Sequence, residues 1–205
     1  MNGYFVTGTD TDVGKTVVSA VLTYILRACY WKPIQSGIAD SIPDIETVRQ
    51  LTEFSAEHFH PSTYMLKASL APEQAATKEG IMIDIGRCQP PITDKPLIVE
   101  GAGGIYVPLN DSQIMLDLIK KLNLPVIIVA RGTLGTINHT LLTIEGLRQN
   151  NIPIHGIVFN GKLNPANQKA IEKWGQVKTL FHVPLLDKID APTVQRWIYE
   201  FTFAS

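Results

Sequence analysis

The nine residues Gly8-Thr9-Asp10-Thr11-Asp12-Val13-Gly14-Lys15-Thr16 constrain this chain more than any other stretch. A short aromatic and β-branched run, Tyr4-Phe5-Val6, leads into them, and Val17, Val18, Ala20, Val21, Leu22 and Ile25 follow at helical spacing. The segment reads as strand, glycine-rich loop, helix. In that arrangement backbone N–H groups and a helix N-terminus converge on one point and favour an anion there.

The loop resembles the P-loop, in which the backbone surrounds phosphate oxygens, a lysine neutralises their charge and a hydroxyl reaches Mg²⁺. It departs from the usual pattern by one residue: Gly8 and Gly14 are separated by five residues instead of four, so Thr9 stands where the first glycine is expected. A Gly-Lys-Thr that merely opens a helix is the plainer reading, but here the loop also follows an apolar strand. Such a loop fixes the ligand, a nucleoside triphosphate, and leaves the reaction open.

Further apolar runs at Leu97-Ile98-Val99, Val126-Ile127-Ile128-Val129 and Ile157-Val158-Phe159 have the character of strands buried on both faces. Between and after them lie helical patterns at Met115 to Leu122, Asn138 to Gln149 and Pro165 to Trp174. This alternation predicts an α/β fold, a mostly parallel sheet flanked by helices on both faces, with ligands at the carboxyl ends of the strands. Residues 55–96 are less regular and read as an insertion near the active face, with a helix from Pro72 to Glu79. Residues 1–205 fit one domain.

Hydrophobic residues make up 45% and charged residues 18%, with a net charge of -1, a globular composition that argues against nucleic-acid binding driven by bulk charge. Cys29 and Cys88, the only cysteines, suit a reducing compartment. The N-terminus lacks the pattern of a signal peptide, and Val126 to Ala130 falls far short of the ~20 residues that cross a bilayer. A cytoplasmic protein without membrane partners is the expectation. His139, His155 and His182 show no metal-site spacing and read as structural.

Other segments bear chemistry. Leu97-Ile98-Val99-Glu100-Gly101-Ala102-Gly103-Gly104 places a carboxylate at the end of a buried strand, beside glycines that let backbone approach phosphates; a Glu that only caps a loop is the alternative. In Trp31-Lys32-Pro33-Ile34-Gln35-Ser36-Gly37 the period of two puts an ammonium and a hydroxyl on one face, although Lys32 also reads as an ordinary surface lysine. Asp44 precedes Ile45, Val48 and Leu51 and reads locally as an N-cap. Leu134-Gly135-Thr136-Ile137-Asn138-His139 opens an apolar helix and presents either an anion receptor or ordinary capping by Thr136. Asn160 ends a strand with an amide suited to a purine edge or to a turn.

In this order the segments resemble dethiobiotin synthetases, most specifically through Lys32-Pro33 and Ser36-Gly37 behind such a P-loop, and the likeness spans residues 3 to about 160. It implies a homodimer with its active site at the subunit interface, converting 7,8-diaminononanoate, CO₂ and MgATP to dethiobiotin, ADP and phosphate. It implies Lys32 as the catalytic lysine, with Lys15 and Thr11 beside it, and Thr11 and Ser36 touching diamine and carbamate. Thr16, Asp44 and Glu100 fall at metal-associated positions, which lifts Asp44 above its capping role. Asp12, Val13, Gly14, Lys15, Thr16 and Val17, with Glu100, Gly101, Ala102 and Gly103, match the phosphate-binding stretch. Gly135, Thr136, Ile137 and Asn138 match a loop that receives the substrate's tail carboxylate from the neighbouring subunit, and Asn160 with Pro184, Leu185 and Leu186 match the base side.

Two departures stand out. Only Arg27-Ala28-Cys29-Tyr30 separates the first helix from Trp31, which implies a shortened second strand, and Pro184 to Asp190 lacks the glycine and final proline of the family's base-side loop. The second departure predicts a weaker preference for ATP over other triphosphates. A nucleotide-driven switch of the partition and septum-positioning type is the competing reading. It calls for a second lysine where Asp10 stands and a basic membrane helix at the C-terminus, where Val194, Trp197, Ile198 and Phe201 share a face without a basic flank. A triphosphate-binding protein that has lost catalysis is disfavoured because every motif position that chemistry needs is filled.

Overall fold

The structure, a computed structural model, describes residues 2–203. The chain runs β1 (Gly3–Gly8), α1 (Lys15–Leu26), β2 (Cys29–Trp31), β3 (Ile34–Gln35), α2 (Asp44–Thr52), β4 (Phe59–His60), β5 (Tyr64–Met65), α3 (Pro72–Lys78) and β6 (Leu97–Glu100). It continues through α4 (Met115–Leu122), β7 (Val126–Arg131), α5 (Thr136–Gln149), β8 (Ile154–Asn160), α6 (Pro165–Gly175), β9 (Thr179–Val183) and α7 (Ala191–Phe203). The main sheet has seven strands in the order β4-β2-β6-β1-β7-β8-β9, and every neighbouring pair is parallel.

Period-two alternation sorts the side chains of these strands to opposite faces. Phe5, Leu97, Val99, Val126, Ile128, Ala130, Ile157 and Phe159 join one core with Met115, Leu118 and Ile119 of α4, Ile144 and Leu147 of α5 and Ile171 of α6. Val6, Ile98, Ile127, Val129 and Val158 join the other with Val18, Val21 and Leu22 of α1, Val48 and Leu51 of α2, and Val194 and Ile198 of α7. Each such fully buried aliphatic chain contributes about 1.5–3 kcal/mol. Helices thus cover both faces, and the strands' carboxyl ends form the rim that open parallel α/β sheets use for ligands.

Several expectations need correction. Residues 55–96 are not simply an insertion: β4 is the edge strand of the main sheet, paired with β2, and β5 pairs with β3 in a separate two-stranded sheet. Two-residue strands carry no readable alternation, which hid them. The edge strand β9 was also unforeseen, because it is only half-buried along most of its length. The second strand is short, as the sequence suggests: Arg27 adopts a left-handed conformation (φ 47°) right after α1, and β2 spans three residues. α7 turns its apolar face inward, with Val194 1% and Ile198 4% exposed. No helix among the described residues is long and apolar enough to cross a membrane.

Candidate functional site

A cleft of about 870 Å³ opens at the rim, lined by the phosphate loop, the segment after β2, the start of α2, residues 69–72 and the turn after β6. Within the loop, Asp12 (φ 55°) and Gly14 (φ 89°) take left-handed conformations that swing the chain into α1. A Cβ on Gly14 would lie 2.1 Å from Asn160 Nδ2, so only glycine fits there. Lys15 Nζ donates to the Asp10 carbonyl at 3.2 Å. Burial pushes the Lys15 pKa down; Glu100 opposes that shift and Lys32 reinforces it.

Lys32 is the centre of the cleft's electrostatics. It is 6% exposed, and its Nζ donates to Asp44 Oδ2 and, at 3.0 Å, to Glu100 Oε1. Burial works against its charge, but Glu100 and Asp44 outweigh burial and raise its pKa, so the ammonium persists. The surface-lysine reading is therefore replaced by a buried ion pair with two carboxylates. Asp44 is the first residue of α2 and makes no capping bond; its N–H is held by Gln35 Oε1 at 3.1 Å, which aims the carboxylate at Lys32. Glu100 is 1% exposed, and instead of capping a turn it accepts Thr16 Oγ1 (3.1 Å) on Oε1 and the fully buried Tyr30 hydroxyl (3.0 Å) on Oε2. Burial, and then the charge of Glu100, drive the Tyr30 pKa well above its ordinary value and keep it a donor.

The fold brings Thr11, Asp12, Gly14, Lys15, Thr16, Lys32, Ser36, Asp44, Glu100, Ala102 and Gly103 to this one cleft. Val13 is buried behind the loop and Val17 packs on the α1 side of the core. Gly101 lies so close to Phe5 that a Cβ would come within 2.9 Å of its ring. Ser36 Oγ is buried with no hydrogen-bond partner among the described residues. Gly135 (φ 91°), Thr136, Ile137 and Asn138 sit at the start of α5 and are not among the residues lining the cleft. Thr136 does not cap the helix: it is 2% exposed and its hydroxyl lies 3.4 Å from that of Thr140. Asn160 Nδ2 donates to the Val13 carbonyl at 3.1 Å, a tie to the phosphate loop in place of the turn read locally. Pro184, Leu185 and Leu186 follow β9; Leu185 is largely exposed, and Leu186 packs against the α1, α2 and α7 core. Sequence reasoning missed Tyr30 and Gln35, whose partners lie 70 and 9 residues away in the chain. Of the histidines, His155 packs on Tyr4 (ring centroids 4.4 Å apart) and His182 Nε2 is 2.6 Å from the Gly161 carbonyl, while His139 lines a second cleft beside Tyr106 and Leu142. No group of three or more His, Cys, Asp or Glu among the described residues is arranged to hold a metal.

A family model described as an AAA domain matches residues 2–193. The ATP-dependent dethiobiotin synthetase of Paramagnetospirillum magneticum is 51% identical over 194 residues, covering 95% of this chain and 93% of that protein. The chain belongs to the ATP-dependent dethiobiotin synthetase family. The biotin biosynthesis bifunctional protein of Bordetella avium is 48% identical over 95% of this chain, which corresponds to 42% of that longer protein. Among solved structures, a ParA family ATPase from Chlorobium tepidum aligns with a TM-score of 0.57 at 12% identity over 98% of both chains. The cell division ATPase MinD of Pyrococcus furiosus aligns with a TM-score of 0.54 at 13% identity over the whole of both. These two likenesses show the P-loop fold alone. At the position where the switch reading requires a lysine stands Asp10, paired with Arg131.

Proposed function

We propose that this chain is an ATP-dependent ligase that carboxylates 7,8-diaminononanoate with CO₂ and closes the ureido ring to give dethiobiotin, ADP and phosphate. The observation that carries this reading is the shared cleft of Lys15 and Lys32, two buried ammonium groups beside a phosphate-shaped loop. A carbamate anion must approach a polyanionic triphosphate, and fixed cations between them lower that barrier more than mobile ones would. One substrate amine adds to CO₂ and loses a proton, giving the carbamate. A carbamate oxygen then attacks the γ-phosphorus and ADP departs; finally the second amine attacks the carbamate carbon and releases phosphate as the ring closes. Lys32 holds the carbamate oxygens, Lys15 the β- and γ-phosphates, and Thr11 with Ser36 orient the diamine; the orphaned Ser36 hydroxyl suits a polar substrate group.

Thr16, Asp44 and Glu100 form an all-oxygen donor set of one hydroxyl and two carboxylates, which fits Mg²⁺ held jointly with phosphates. Mg²⁺ bound there would supply charge neutralisation to the triphosphate. Backbone from Asp12 to Val17 and from Glu100 to Gly103 lines the phosphates. The base falls between Asn160, whose Oδ1 would serve it while Nδ2 holds the loop, and residues 184–186. The chain acts as one domain in a homodimer, with Gly135 to Asn138 receiving the substrate's carboxylate in the partner's cleft. That loop's place outside its own chain's cleft, with Leu134 fully exposed beside it, supports this arrangement. Cys29 and Cys88, both free and buried, suit a reducing cytoplasm.

Phosphate release that requires both 7,8-diaminononanoate and bicarbonate is the expected result. ATP hydrolysis indifferent to the diamine would overturn the ligase reading. Lys32→Ala is expected to lower kcat by at least about a hundredfold, the scale of losing one preorganised charge contact, and a variant with full activity would remove Lys32 from its role.

A further inference from the structure

The register of the sheet places an ion pair at the lip of the phosphate loop that none of the roles above uses. Gly8 of β1 lies opposite Val129 of β7, and Thr9 N–H still donates to the Val129 carbonyl at 3.0 Å, so the loop leaves β7 only at Asp10. Two residues beyond the Gly8 and Val129 pair, Asp10 and Arg131 stand at matching positions, with Arg131 Nη2 2.5 Å from Asp10 Oδ2. Asp10 turns its other acceptors onto the loop itself. Its Oδ1 receives Thr11 N–H at 2.7 Å, and its carbonyl receives Lys15 Nζ at 3.2 Å. Arg131 is in turn the register partner of Asn160 on β8, and Asn160 Nδ2 donates to the Val13 carbonyl at 3.1 Å. The one-residue-longer loop is therefore held at both shoulders, at position 10 from β7 and at position 13 from β8.

The side chains of Arg131 and Asp10 are 39% and 43% exposed, so the pair contributes little to global stability. Its value is directional. A guanidinium is planar and always charged, and it fixes the orientation of the carboxylate it meets. That carboxylate in turn fixes Thr11, while the same residue's carbonyl fixes Lys15.

We propose that Arg131 is a positioning residue for phosphoryl transfer, acting through Asp10 to set the phosphate loop and the directions of Lys15 and Thr11. The Lys15 half of the inference needs only nucleotide binding; the Thr11 half rests on the ligase reading. The test is a double-mutant cycle of Arg131→Ala and Asp10→Asn, with Arg131→Lys as the conservative variant. Asp10→Asn removes the charge but keeps an acceptor for Thr11 N–H. The readouts are the Kd for MgADP by calorimetry, kcat and KM for ATP and for the diamine, and the thermal midpoint. Each single variant is expected to weaken MgADP about tenfold and to lower kcat by a similar factor, the scale of a small misplacement of reacting groups. The double variant is expected to be no worse than the worse single, Arg131→Lys to recover part of the loss, and the midpoint to stay within about 2 °C of wild type. Additive losses would overturn the proposal, as would variants whose MgADP affinity stays within about twofold of wild type, less than one lost hydrogen bond costs. An Arg131→Ala variant that raises only KM for the diamine, with Asp10→Asn silent, would assign Arg131 to direct substrate contact and overturn it as well. If wild type binds MgADP but releases no diamine-dependent phosphate, the ligase reading fails, and the cycle on MgADP still decides the role of Arg131.

Discussion

Replacing Tyr30 with Phe removes one oxygen from a side chain that is 0% exposed and leaves the ring in place, so only the volume of that one atom is vacated. What is lost is the donor to Glu100 Oε2. The other carboxylate oxygen keeps Lys32 at 3.0 Å and Thr16 at 3.1 Å, so the charge stays compensated. The cost is therefore that of one hydrogen bond to a charged group, about 1.5–3 kcal/mol, and not the larger penalty of an abandoned buried ion. For a chain of this size about 2–4 °C of midpoint corresponds to 1 kcal/mol, so the thermal midpoint should fall by roughly 3–12 °C. Because Tyr30 orients Glu100, the Mg²⁺ concentration giving half-maximal rate should rise about tenfold. The effect also depends on pH. Burial first, and Glu100 second, raise the Tyr30 pKa well above 10.0, the value at which the unfolded chain gives up that proton. Above that pH the unfolded state binds fewer protons than the native state, so stability falls as pH rises. The advantage of wild type over Tyr30→Phe is thus fully present below about pH 10 and shrinks above it. Calorimetric or urea unfolding of both proteins at neutral pH and on either side of about pH 10 measures this directly. A midpoint within about 1 °C of wild type, well under the shift of one lost hydrogen bond, would refute the reasoning. A difference that persists unchanged at high pH would refute the assigned titration.

Gly14→Ala, which forces a Cβ to 2.1 Å from Asn160 Nδ2 at φ 89°, should weaken MgADP binding by more than about tenfold while the rest of the fold persists; calorimetry and circular dichroism together check both halves. In the proposed function residues 184–186 lie beside the base, and the segment from Pro184 to Asp190 contains no glycine and no second proline. Turnover with GTP and CTP should therefore fall within about a hundredfold of turnover with ATP, the reach of a site that reads few hydrogen bonds, and a strict preference for ATP in parallel assays would count against this.

The central strands were legible because burial on both faces leaves an unbroken apolar run, as in Val126 to Val129, and because the phosphate loop needs both a strand before it and a helix after it. The edges were not. β4 and β5 are two residues long, and β9 is half-buried, so neither alternation nor apolar continuity marks them. The site was legible in its residue types and less so in its pairings. Lys32 and Asp44 each had an ordinary local reading, as surface lysine and helix cap, because what overrides those readings is made between separate elements: Asp44 meets Lys32 from 12 residues away, and Lys32 also meets Glu100, 68 residues from it. Tyr30 and Arg131 carried no local signal: a tyrosine in a strand and an arginine at a strand end are unremarkable until the sheet sets a carboxylate opposite each.

The place of β6 in the sheet bears on how the molecule comes into being. β1 and β2 are the first two strands synthesised, yet they do not pair with each other; the slot between them is filled by residues 97–100. Until that segment arrives, a growing chain exposes two unpaired strand edges facing a gap, the kind of surface on which neighbouring chains aggregate. The strand that closes the gap also delivers Glu100, the residue to which Lys32, Thr16 and Tyr30 all donate. Joining the β2 side of the sheet to β1 and bringing the shared acceptor into the charge cluster are consequently a single event.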